Sequence, residues 1–364
     1  METKQSIGLR EFIALGIIMI GIKLTDDTPI IYFKKLANSA WMAPLLSAGM
    51  IAVLLYFLIS TTEKFDNQNL VDLIFTLFGK YIGWIAILYL WAALFTALII
   101  DTAIYTDLIS TMYFPNTPMF AIYFLMMVIC GFGAYKGIQA IGSTAWAIFL
   151  YITVALICAL LITITHGQFD FLFPFLGNGT WPVIKESLKA ITIYDELLYL
   201  GILSTMLPSK KDFKKGSWII FGVVITEITL AMISFLMIFD YKSIQLLSYP
   251  WHEVIRYISL GFLQNVETLF FPFWLVGLII RFGAYLYLIV YMFGRLFNIK
   301  EFQLLVPIFS ILVVFLGVIP EQPTFTLPII RSKLIMFTVI PTCSITVLLW
   351  VLAKFKTRGK KHAN

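Results

Sequence analysis

Charge is what this sequence has least of: only 13% of its 364 residues are Asp, Glu, Lys or Arg, against roughly 25% in an ordinary soluble domain. Charged side chains normally cover the outside of a soluble fold, so their scarcity excludes a soluble enzyme or a secreted globular domain. Cysteine is scarce too. Cys130, Cys158 and Cys343 each sit in an apolar run with no CxxC or Cys/His spacing, which excludes a disulfide scaffold and reads as small buried hydrophobes. The histidines, His166, His252 and His362, are scattered, so no metal site and no cofactor is expected. Patterns of the GxSxG, HExxH and P-loop type are missing as well. Neither an enzyme nor an ATP-driven pump is expected.

Apolar residues fill the space that charge leaves. They make up 60% of the chain, and roughly 20 are needed per membrane crossing, so the composition suits about ten spans. The expected fold is an all-α polytopic membrane protein in a single domain over residues 1–364. Hydrophobic segments run over 8–36, 40–60, 80–110, 118–135, 142–166, 182–207, 216–239, 262–296, 302–319 and 330–353. The first run begins without a long basic leader or a small-residue cleavage site, and reads as a retained span. Short connections carry Pro, Gly, Asn or charge, as in Pro115-Asn116-Thr117-Pro118 and Pro320-Glu321-Gln322-Pro323. Asn178-Gly179-Thr180 reads as a turn. The stretch 250–258, of mixed polarity, suits a short amphipathic helix on the outer surface.

The net charge of +6 does not mark a nucleic-acid binder, because the basic residues lie in loops at a membrane surface. Lys210, Lys211, Lys214 and Lys215 share one loop, and Lys354, Lys356, Arg358, Lys360 and Lys361 fill the tail. With the N-terminus inside, sixteen Lys and Arg fall on the inner side and eight, Arg331 among them, on the outer side; Lys23 and Arg281 lie within spans. That bias predicts both termini in the cytoplasm.

Ionisable residues inside spans cost about 2.5–3.5 kcal/mol or more at the bilayer centre and face cavities or partners, so they carry the functional information. Gly21, Lys23, Thr25, Asp26, Asp27 and Pro29 predict a break in span 1 with a cap before a second half-helix. Two readings are open for Asp26 and Asp27, a ligand site or a simple cap at the interface. Tyr194, Asp195, Glu196 and Tyr199 interrupt span 6. Glu196 is expected to face a cavity and the adjacent Asp195 to point elsewhere, while the two tyrosines either line the same pocket or pack against neighbouring helices. Interrupted helices at the first position of each five-span half are the pattern of inverted-repeat transporters. Glu227 in span 7 and Arg281 in span 8 suggest a buried ion pair. Asp101 has Tyr105 one turn later on the same face; both fit a pocket, and polar contact between helices is the alternative.

Several motifs in order carry a resemblance. Phe171-Leu172-Phe173-Pro174-Phe175-Leu176-Gly177-Asn178-Gly179, the Tyr194-Asp195-Glu196 group with its Pro208-Ser209-Lys210-Lys211 exit, and Pro250, Arg256-Tyr257-Ile258, Glu267 and Trp274 together resemble spore-germination receptor B subunits. That family lies in the amino acid–polyamine–organocation transporter superfamily. The resemblance covers essentially the whole chain and implies a five-plus-five inverted-repeat fold with broken helices 1 and 6. It also implies a nutrient-germinant sensor in the inner membrane of a bacterial spore. The implied partners are a membrane-anchored A subunit and a lipoprotein C subunit. Two positions depart from the pattern: Gly21-Ile22-Lys23-Leu24 stands where relatives are glycine-rich, and Asn265 where they are often basic.

The sequence thus predicts a small nutrient, an amino acid by implication, held between helices 1 and 6. Spans 3 and 8 complete the pocket. The residues expected to touch it are Gly21, Lys23, Thr25, Asp101, Tyr105, Tyr194, Glu196, Tyr199 and Glu267, with Glu196 meeting an ammonium group. An independent proton-coupled amino-acid permease is the other reading. Glu196, Glu227 or Lys23 would then exchange the proton.

Overall fold

A computed structural model describes residues 6–257, 266–320 and 323–362. Asn265, residues 262–264 at the start of the eighth expected span, Ile258, Glu321 and Gln322 lie outside the described residues. Every regular element described is helical. In chain order these are α1 (Leu9–Gly21), α2 (Thr28–Leu36), α3 (Met42–Lys64), α4 (Leu70–Met112), α5 (Met119–Lys136), α6 (Ile138–His166), α7 (Thr180–Lys189) and α8 (Glu196–Tyr199). There follow α9 (Lys210–Ile238), α10 (Tyr241–Ile244), α11 (Pro250–Tyr257), α12 (Val266–Phe297), α13 (Val306–Gly317) and α14 (Pro323–His362).

Seven helical segments are long and apolar enough to cross a membrane, and the chain is a multi-pass membrane protein. The three remaining expected spans differ for physical reasons. Residues 8–36 and 182–207 are divided into short helical pieces. The segment 302–319 opens on a 3-10 turn and leaves only twelve α-helical residues in α13. α12 is the central helix, with 78% of its apolar window buried, whereas α6 and α14 lie at the periphery with 17% and 22%. α12 packs on α1, α4, α5 and α6.

α4 runs 43 residues because a bend lets it turn. An Asn69–Asp72 capping box starts it, and Gly79 then adopts φ 77°, ψ −179°, a conformation essentially reserved for glycine. The expected span beginning at residue 80 is the straight part after that bend. Gly79→Ala should cost about 1–3 kcal/mol, measurable as a lower midpoint in a detergent thermal-denaturation series, although a Cβ there meets nothing within 4 Å.

Two loops expected on the inner side do meet. Lys210 Nζ lies 2.6 Å from Asp66 and Lys214 Nζ 3.0 Å from Glu63, and the Lys210 ammonium holds the Asp66 carboxyl below its usual range. The turn at Asn178 is present: its side-chain amide donates to the Lys35 carbonyl at 3.1 Å, and Gly179 opens α7 with φ 106°. α11 is less superficial than its sequence suggests. Trp251, His252, Val254 and Ile255 are buried against α9 and α12, so Glu253, Arg256 and Tyr257 carry what exposure it has. Of the cysteines only Cys130 is buried, and Cys158 is exposed.

Candidate ligand site between the helix breaks

The first break is written in the sequence. Proline has no N–H and its ring clashes with the carbonyl four residues back, so Pro29 stops an α-helix from running through Thr25 and instead begins α2. Ile22–Thr25 forms a 3-10 turn, and Asp26 Oδ1 accepts the Thr28 N–H at 2.7 Å. Asp26 therefore takes the first N–H of α2, while Asp27, at the N-cap position, turns its side chain to Arg331. Carbonyls freed at the end of α1 need donors, because no water is available inside a bilayer. Arg281 supplies one to Met19. The Tyr105 hydroxyl and Thr25 Oγ1 both donate to the Ile22 carbonyl at 2.7 Å.

The second break has neither Pro nor Gly at its centre. After α7, Ala190–Ile193 is a 3-10 turn, Tyr194 leaves the helical region, and only Glu196–Tyr199 is α-helical before another 3-10 turn at Leu200–Thr205. A lysine from the first break fills the gap: Lys23 Nζ donates to the carbonyls of Thr192 at 2.8 Å and Ile193 at 3.4 Å. In a continuous helix those carbonyls would accept from residues 196 and 197.

Between the two breaks, α4, α12 and α14 enclose a cavity of about 260 Å3. Its floor is charged. Lys23 pairs with Asp195 at 3.0 Å and with Glu196 at 2.6 Å. Arg281 pairs with Asp101 at 2.8 Å and Glu196 at 3.2 Å, and Tyr285 donates to Glu196. Arg331 binds Asp26 at 3.0 Å and also reaches Asp27 and Asp101. Five carboxylates thus share three cations. Opposite this floor the wall is small and apolar, from Ala92, Ala93 and Ala97 on α4, with Thr338 and Thr342 from α14.

The expected site residues are only partly brought together. Lys23, Asp101, Glu196 and Tyr199 line the cavity. Tyr199 donates to the Leu90 carbonyl at 3.0 Å. Gly21 and Thr25 line a second cavity behind the break. Tyr105 is buried and braces Ile22 instead of facing the first cavity. Tyr194 turns to α3, donating to the Pro44 carbonyl at 3.1 Å. Glu267 pairs with Arg256 at 3.0 Å, away from the cavity. The Glu227–Arg281 pair does not form: Arg281 is held by Asp101 and Glu196, and among the described residues Glu227 has no ion pair.

Two more expectations about this site change. Asp195 does not point away from Glu196. Helical neighbours diverge by about 100°, but the chain is not α-helical at Tyr194, and both acids reach Lys23. Arg331, counted above among outer loop residues, is only 12% exposed and enters the acidic cluster. Without it the five clustered acids, Asp26, Asp27, Asp101, Asp195 and Glu196, would share only Lys23 and Arg281. Tyr285 and Tyr89, also on the cavity wall, gave no signal among so many aromatics.

A family model described as "Spore germination protein" matches residues 10–326. Spore germination protein XB of Bacillus anthracis is 27% identical over 179 residues, covering 49% of this chain and 50% of that protein. Spore germination protein KB of Bacillus subtilis (strain 168) is 24% identical over 308 residues, covering 82% and 80% respectively. Among solved structures, MhsT in complex with L-phenylalanine superposes with a TM-score of 0.68 at 15% identity, over 95% of this chain and 87% of that one. A Na+-coupled sialic acid symporter, substrate-bound and outward-open, gives 0.65 at 11% identity over 93% and 78%. At such identity the likeness is one of fold.

Proposed function

The chain belongs to the spore germination protein family, and from that premise we propose that it is the nutrient-binding membrane subunit of a spore germinant receptor, with its ligand in the cavity between the helix breaks. The observation that carries this reading is the unequal exposure of the two adjacent acids. Glu196 is 3% exposed and already receives Lys23, Arg281 and Tyr285. Asp195 is 31% exposed and meets only Lys23 among these groups. Asp195 is therefore the acid that a ligand's amine meets, and Glu196 orients the cations around it. A ligand carboxylate has Arg331 and the start of α2 at Thr28 within the same cavity. The cavity volume lies just below the roughly 300–1,000 Å3 of drug-sized sites, which suits an amino acid with a modest apolar side chain against the alanine wall.

Binding that favours one of two arrangements of the broken helices shifts the population toward it, and that shift is what an A subunit and a lipoprotein C subunit would register. Family membership supports these partners, the spore inner membrane and, with the loop charge bias, cytoplasmic termini. The neighbours' transporter fold favours a second reading, a permease that carries the solute across.

Sealed proteoliposomes offered labelled amino acids, sugars and nucleosides separate the two. Saturable label that survives permeabilisation of the vesicles is expected for a sensor. Label lost on permeabilisation would mean accumulation inside, and the permease reading would replace ours.

A further inference from the structure

Glu227 lies near the middle of α9 and faces a second cavity of about 50 Å3 behind the first helix break. Around it stand Gly21, Ile22 and Thr25 from the break, Phe149, Ile152 and Thr153 from α6, and Trp251 and Trp274. Its carboxylate presses on the end of α1: a Cβ added at Gly21 would come within 2.9 Å of Glu227 Oε2. The last carbonyls of α1 already have donors, Arg281 on Met19 and the Ile22 N–H on Ile18 and Ile20, so the carboxylate meets backbone that offers it no counter-charge of its own.

Among the described residues no cation pairs with Glu227, and Arg281 reaches this end of α1 only through the Met19 carbonyl. The first-break lysine, Lys23, is engaged by Asp195 and Glu196 in the first cavity. From α12, Arg281 is held by Asp101 and Glu196. On α11, Arg256 pairs with Glu253 and Glu267, and His252 Nδ1 is bonded to the Tyr113 hydroxyl at 2.9 Å. α6 lends this cavity only uncharged residues. α3 keeps Glu63 and Lys64 at its inner end, where Glu63 meets Lys214.

We propose that Glu227 is a proton-binding site, distinct from the ligand cavity, whose protonated form lets α9 pack against the end of α1. A protonated carboxyl removes an unpaired charge from this apolar wall and lets the side chain stay packed on the backbone at Gly21. A neighbouring volume of about 50 Å3 exceeds the ~10–15 Å3 that one water needs, so the carboxyl has room beside it for a proton carrier to enter. Ionisation would leave an unpaired charge in that wall and so loosen the contact between α9 and the helix break. Proton occupancy would then bias the position of the same break that forms one wall of the ligand cavity.

The test uses the purified full-length chain in lipid nanodiscs with no nutrient present, so it does not depend on the ligand assignment. Infrared difference spectra between pH 5 and 9 should show a titrating carboxyl band together with a change in tryptophan fluorescence, since Trp251 and Trp274 line the cavity. Both should disappear in Glu227→Gln. In protein carrying 13C-glutamate, the isotope-shifted band should disappear in Glu227→Asp while an unshifted aspartate band replaces it. If Glu227→Gln fails to fold, that labelled comparison decides alone. The proposal is overturned if Glu227→Gln titrates like wild type, if no glutamate band titrates, or if the signal follows replacement of sodium by choline instead of pH.

Discussion

Arg281→Met should cost about 3–5 kcal/mol of stability, because it removes one cation of a buried network and leaves five carboxylates to Lys23 and Arg331. Arg281 is fully buried and holds Asp101, Glu196 and the Met19 carbonyl at the end of α1. Methionine nearly matches its bulk, so the loss reads out the charge more than a cavity. In a detergent thermal-denaturation series followed by size-exclusion chromatography, the variant should lose its monodisperse peak well below the wild-type midpoint. Adding Asp101→Asn should restore part of the loss, since four carboxylates rather than five would then share Lys23 and Arg331. An unchanged midpoint for Arg281→Met would show that the network contributes little to the fold.

Asp195 and Glu196 should separate binding from stability. Asp195→Asn is expected to weaken nutrient binding by roughly 10–100-fold, the range of about 1.5–3 kcal/mol for a hydrogen bond to a charged group, with a thermal midpoint near wild type. Asp195 is the more exposed of the two acids, and Lys23 keeps Glu196 when it is gone. Glu196→Gln should do more. It removes the acid shared by Lys23 and Arg281, so both binding and midpoint should fall. Saturation binding to purified protein, with the midpoint measured on the same samples, tests the pair. Wild-type affinity in both variants would remove the cavity from consideration as the ligand site.

Much of this architecture can be read along the chain. Pro29 after two aspartates marks the first break, and the low overall charge marks the membrane. The second break was legible as an acidic interruption, yet not in its geometry. Nothing in Ile191-Thr192-Ile193 announces a 3-10 turn, because the lysine that satisfies its carbonyls comes from a residue 169 positions earlier. Long-range partners explain the other differences too. Glu227 and Arg281 lie on consecutive spans and invite pairing, but α12 turns Arg281 toward α4 and the second break. Arg331 stands one residue inside a span edge, where hydropathy cannot tell a loop cation from a buried one. Tyr105 shares a helix face with Asp101, as periodicity requires, yet its longer side chain carries the hydroxyl past the cavity to Ile22.

Lys23 gives the two breaks a common fate. One ammonium group is bonded at once to the free carbonyls of the sixth span and to both of its acids, while its own backbone belongs to the interrupted turn of the first span. Neither interruption can straighten alone: winding residues 192–196 into α-helix would evict the lysine, and drawing the first span away would strip donors from the sixth. The two interruptions are thus riveted, and the pair should travel as one body against α4 and α12 rather than flex separately.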